Sequence, residues 1–93
     1  MKRSTFLVSF FGRVQGVGFR MLVLKRARKL GLTGWVKNSS KFDLVEACFQ
    51  GEREVVLKLV EELKSSNGFV RVNEVVVDEV LNSDEFNCFE IRY

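Results

Sequence analysis

Apolar and polar residues alternate from Thr5 to Phe11, "TFLVSFF", which puts Phe6, Val8 and Phe10 on one side, as a half-buried strand requires. From about Phe19 the period lengthens. Phe19, Val23, Ala27 and Leu30 share a helical face, basic residues occupy much of the rest, and Gly31 follows as a stop. "LTGWVKN" (32–38) and "LVEACFQ" (44–50) predict a second and a third strand, the latter with Val45, Ala47 and Phe49 alternating. Residues 52–66 carry the clearest helical stripe, Val56, Leu59, Val60 and Leu63, with Glu52 and Glu54 near the start and Asn67-Gly68 as the stop. A fourth strand is expected over about 70–81. Its alternation changes phase around Asn73-Glu74, which predicts either a bulge or a late start of the strand. "CFEIRY" can add a short last strand. The order β-α-β-β-α-β with a short β tail predicts one α+β domain over 1–93: a ferredoxin-like sandwich, two helices on one face of an antiparallel sheet.

Composition is compatible with that reading. Hydrophobic residues make up 46% of the 93, with nine Phe, enough for a core in a small domain and against disorder. The formal charge of +3 favours anionic partners without identifying one. Cys48 and Cys88 are too few for a disulfide framework or a zinc knuckle. The basic-then-apolar start breaks at Gly12-Arg13 with no small-residue cleavage site, so a first strand is the better reading and the cytoplasm the expected compartment. No apolar run approaches the ~20 residues of a membrane span. The chain has no His. The usual general base near neutral pH is therefore missing, and so are histidine metal sites and catalytic triads. Any chemistry must come from charge, backbone amides and positioning.

"FGRVQGVGFR" (11–20) concentrates three glycines between a strand and a helix. The spacing is neither G-x-G-x-x-G nor the P-loop, since Phe19 and Arg20 stand where Lys and Ser/Thr would be needed. It still offers a turn whose amides can form an anion-binding nest ahead of the free N–H groups of a helix. Arg20 in the first helical turn opposes the helix dipole unless an anion compensates it. From spacing alone, a tight turn carrying a solvated arginine is about as good a reading.

"GRVQGVGFR" resembles the signature of the acylphosphatases, and "GWVKN" (34–38) resembles their second signature, with "FEIRY" and the element order matching too. The resemblance implies hydrolysis of carboxyl-phosphate bonds, without metal or cofactor, on a small-molecule acyl phosphate. It implies that Gln15, Gly16, Val17, Gly18, Phe19 and Arg20 cradle the phosphate with backbone amides. The Arg20 guanidinium would grip it, Asn38 would hold the attacking water, and Ser39 would be supportive at most. Inorganic phosphate or sulfate should occupy the same cradle. One departure stands out: Phe42 occupies the position where the family usually has the hairpin glycine.

Two rivals keep the same fold. One is an acylphosphatase-like domain that binds an anion without turning it over. The other, less favoured, is a single-stranded RNA binder, although "LVEACFQG" lacks the aromatic pattern of such modules and carries Glu46 instead. Asp43 and Glu46 read as hairpin and strand residues, Trp35 as a packing residue, and Lys25 to Lys29 as a solvated helix face. The expected protein is a monomer with no membrane or nucleic-acid partner.

Overall fold

The computed structural model describes residues 3–41, 43–65 and 70–93. Phe42 and the Asn67-Gly68 stop lie outside the described residues. Seven elements follow one another: β1 (Arg3–Arg13), α1 (Phe19–Lys29), β2 (Thr33–Asn38), β3 (Leu44–Glu52), α2 (Arg53–Lys64), β4 (Arg71–Val80) and β5 (Phe89–Arg92). The strands form one sheet in the order β4-β1-β3-β2-β5. β1 pairs antiparallel with β3 and β4, and β2 antiparallel with β3. The expected all-antiparallel sheet needs one correction: β5 runs parallel to β2, which makes the sheet mixed. Parallel pairing requires a crossover from β4 at one edge to β5 at the other. Period-2 patterning sets which side of a strand is buried and says nothing about its neighbour.

Both helices cover the same face. Phe6, Val8 and Phe10 of β1 lie opposite Phe49, Ala47 and Val45 of β3, all buried, and α1 and α2 press Phe19, Val23, Ala27, Val56, Leu59 and Leu63 onto them. Burying a Val, Leu or Phe side chain contributes about 1.5–3 kcal/mol, so this single cluster holds the two layers together. α1 leans on β2 and β5, and α2 on β1, β3 and β4. Leu30, expected on the buried face, is 43% exposed. The helix closes one residue earlier, where Gly31 at φ 73° donates to the Arg28 carbonyl and Leu32 donates to that of Ala27. That Schellman closure turns the chain so that Leu32, not Leu30, enters the core.

The phase change in β4 is a bulge. Phe11 faces Glu74 and Gly12 faces Val72, leaving Asn73 as the extra residue. On the helix-free face, the chain between β4 and β5 is anchored by Gln50, a buried polar residue. Its Nε2 donates to Thr5 Oγ1 and to the Asp84 carbonyl, and its Oε1 accepts from the Phe86 N–H and from Thr33 Oγ1. Buried polar groups persist only with partners, and Gln50 satisfies both ends of its amide.

Candidate active site

The ends of β1, β2 and β5 and the start of α1 meet at the end of the sheet opposite Gln50. The loop between β1 and α1 is held at both ends by core residues, Val14 at 1% and Phe19 at 1% exposure, with the Phe19 ring edge-on to Phe10 at 5.1 Å. Between those anchors Gly16 (φ 73°) and Gly18 (φ 79°) take left-handed dihedrals, and both face open space. Gly18 is the N-cap of α1 and offers no capping side chain, and the first turn holds no acidic residue. The first helical bond runs from the Leu22 N–H to the Gly18 carbonyl. Among the described residues, therefore, the N–H groups from Gln15 to Met21 have no backbone acceptor. Open N–H groups and the positive end of a helix dipole are together the arrangement that suits an anion.

Arg20, partly buried, lies in that first turn with its guanidinium carbon 5.1 Å from the centroid of the Tyr93 ring. Tyr93 also lines a concavity of about 410 Å³ with Lys37, Asn38, Ser39, Ser40 and Glu46. Tyr93 thus links Arg20 to the wall that carries Asn38. Asn38 ends β2 on the helix-covered side, opposite Val45, and its Oδ1 is buried with no hydrogen-bond donor among the described residues. A buried carbonyl oxygen left without a donor costs about 1–3 kcal/mol, a penalty that a donating water would remove.

Gln15 has a role that the sequence reading missed. Its half-buried side chain turns away from the cradle, and Nε2 lies 3.1, 3.0 and 2.7 Å from the carbonyl oxygens of Ser39, Lys41 and Leu44. One amide straps the loop to the β2–β3 hairpin, the segment that follows Asn38. Gln15→Leu is expected to lower kcat on the order of tenfold, because slight misplacement of a positioned group is costly, while the inhibition constant of inorganic phosphate stays within about twofold. Steady-state kinetics with phosphate as inhibitor would read both. An equal loss in both would make Gln15 an anion ligand instead.

The remaining chemistry-bearing groups stand apart. Burial pushes the Cys48 thiol up, only partly opposed by Arg92, so it is a poor nucleophile near neutral pH. Trp35 lies on the helix-free face between two cations, Arg92 at 5.3 Å and Lys37 at 5.4 Å from its ring centre. Arg26 in the basic face of α1 pairs with Glu62, and Arg28 donates to the Phe89 carbonyl. No group of three or more His, Cys, Asp or Glu side chains suited to a metal occurs among the described residues, and no described helix is long and apolar enough to cross a membrane.

The fold and this site define a small ferredoxin-like α+β protein with a glycine-bearing loop and an uncapped helix start at one end of its sheet. The acylphosphatase family model matches residues 6–91. An acylphosphatase from Geobacter sulfurreducens is 39% identical over 87 residues, 94% of each chain. One from Clostridium beijerinckii is 43% identical over 82 residues, 88% of this chain and 90% of the relative. Among solved structures, the Bacillus subtilis acylphosphatase superposes with a TM-score of 0.90 at 34% identity, covering 97% of this chain and 99% of that one. The Coxiella burnetii acylphosphatase does so at 0.88 and 37%, covering 97% and 93%. The chain belongs to the acylphosphatase family.

Proposed function

We propose that this protein hydrolyses acyl phosphates to a carboxylate and inorganic phosphate, with the amides of residues 15–20 and the Arg20 guanidinium holding the phosphoryl group and Asn38 holding the water. The observation that carries the reading is the row of N–H groups from Gln15 to Met21 that have no backbone acceptor, closed by an arginine and free of any acidic residue. Phosphoryl transfer spreads charge over three equatorial oxygens, so positioned donors supply most of the catalysis. A guanidinium suits two of those oxygens because its planar fork gives parallel hydrogen bonds. The orphaned Oδ1 of Asn38 suits a water that donates to it and is thereby aimed at phosphorus. The departing carboxylate is the conjugate base of an acid of pKa about 4 to 5, so it leaves without a proton, and the lack of a general acid is no obstacle.

Family membership favours this reading over an RNA-binding one, and the helix-free face argues the same way. There the chain around Asp84 and Phe86 crosses to β5, and Arg92 and Lys37 flank Trp35, the aromatic that a base would have to stack on. Hydrolysis of benzoyl phosphate by the purified protein tests the proposal, and binding of inorganic phosphate without turnover would support the non-catalytic rival. Activity should survive EDTA. The kcat should also stay nearly flat from about pH 5.5 to 7.5, because the chain lacks histidine, the side chain that ordinarily titrates there. Loss of activity on chelation, or a bell-shaped profile centred near neutrality, would overturn this mechanism.

A further inference from the structure

A second concavity, of about 760 Å³, borders the cradle. Gln15 and Val17 form one wall, and Arg13, Asp43, Arg71 and Asn73 line much of the rest. We propose that Arg13 and Arg71 form an oxyanion subsite that holds a distal carboxylate or phosphate on the acyl part of the substrate. This rests on the acyl phosphate hydrolysis proposed above.

Arg13 of β1 and Arg71 of β4 are direct cross-strand partners, and both are exposed. Like charges facing each other across an antiparallel pair are destabilising. The register shift creates this arrangement: in an unbroken register Asn73 would face Gly12 and Val72 would face Arg13. Neither guanidinium has an ion pair or hydrogen bond among the described residues, and none of the residues outside that set is acidic. Five other arginines have polar partners, and Arg20 lies against the Tyr93 ring. Arg26, Arg53 and Arg92 have carboxylates, Arg28 a carbonyl and Arg3 a hydroxyl. Asp43 lines the same concavity but lies beyond ion-pair distance of either arginine, so these three groups together leave one positive charge there.

The reach is suitable. Two residues lie between Arg13 and Gly16 of the loop, a span of at most about 11 Å between their Cα atoms. Two forked guanidinium groups favour an oxyanion over a neutral group, since each can donate a parallel pair of hydrogen bonds. A substrate with charge at both ends would bridge cradle and subsite, whereas a substrate with a neutral acyl group would use the cradle alone.

Benzoyl phosphate and 4-carboxybenzoyl phosphate differ only in the distal charge. At an ionic strength of about 0.01 M, where the screening length is about 30 Å, the wild type is expected to favour the second by roughly tenfold in kcat/KM, mainly through KM. Arg13→Gln and Arg71→Gln should each reduce that preference several-fold, and the double variant should abolish it, with benzoyl phosphate turnover kept within about twofold. Lys58→Gln removes the same charge from α2 and should leave the preference unchanged. An unaltered preference in the double variant, or none in the wild type, would overturn the subsite. A terephthalate titration followed by the amide NMR shifts of residues 12–15 gives a readout without turnover. Saturable shifts that vanish in the double variant support the subsite, and their absence from the wild type overturns it. If the wild type hydrolyses neither substrate yet binds terephthalate through these arginines, the proposed activity fails and the subsite stands.

Discussion

Arg20→Ala is expected to lower kcat/KM by a factor on the order of 10² to 10³ or more, the scale on which a preorganised transition-state donor acts, and to weaken inorganic phosphate binding with it. The reasoning is geometric. Arg20 stands in the first turn of α1, beside amides that lack backbone acceptors, so it would contact phosphate in the ground state as well as the transition state. Asn38→Ala is expected to cut kcat on the same scale with KM and phosphate affinity nearly unchanged, because Asn38 would touch only the water. Phosphate at a hundred times its Kd should stabilise the wild type by about 2.7 kcal/mol, an increment that Asn38→Ala keeps and Arg20→Ala loses. Arg20→Lys should rescue poorly, since an ammonium cannot reproduce two parallel bonds. Thermal melts with and without phosphate, run beside the kinetics and a circular dichroism check of folding, decide the assignment. It is falsified if Asn38→Ala loses phosphate binding as fully as Arg20→Ala while keeping turnover.

The largest effect on stability is expected from Gly34→Ala, about 4 kcal/mol or more, a size that points to a specific mechanism, here backbone strain combined with overpacking. Gly34 sits in β2 between Phe49 of β3 and Phe89 of β5, at φ 132°, and a Cβ there would lie 1.8 Å from the Cys48 carbonyl oxygen. The missing side chain also lets the two flanking rings meet across β2, stacked at 5.6 Å with 14° between their planes. An alanine would therefore strain the backbone, strike β3 and part that stack, against a total stability of only about 5–15 kcal/mol for a typical domain. Gly16→Ala offers the contrast. Its φ of 73° is left-handed too, but a Cβ there meets nothing within 4 Å, so about 1 to 2 kcal/mol is expected. Urea unfolding of the two variants measures the difference. A Gly34→Ala protein within 1 kcal/mol of wild type would mean that β2 can shift relative to β3 at little cost.

Much of this protein could be read from local pattern. The stripe Val56, Leu59, Val60 and Leu63 and the alternating Val45, Ala47 and Phe49 are buried as their periods require. "GRVQGVGFR" marks the turn between β1 and α1 because a left-handed turn ahead of a helix needs glycine in sequence, and Arg20 follows at a fixed place in the first turn. Side-chain use was harder to see. Gln15 looked like one more amide in the loop, yet its carboxamide reaches the Ser39 carbonyl, 24 residues away. Tyr93 stood in the closing "FEIRY" with no role, until β5 lay beside β2 and brought its ring to Arg20.

The order of strands and helices, most of the core-facing residues, the glycine-bearing turn before α1 and the lack of histidine were all legible in the chain, with Leu30 the exception that proved exposed. Each follows from a period, a dihedral requirement or a residue type within a few positions along the chain. Long-range packing accounts for the parallel pairing of β5 with β2, the anchoring of the crossing chain by Gln50 on the helix-free face, and the stacking of Phe49 and Phe89 over Gly34. It alone set Arg71 across from Arg13. These are contacts between distant segments, selected by how the whole chain packs its apolar faces and satisfies its buried polar groups, and no local window of sequence carries that information.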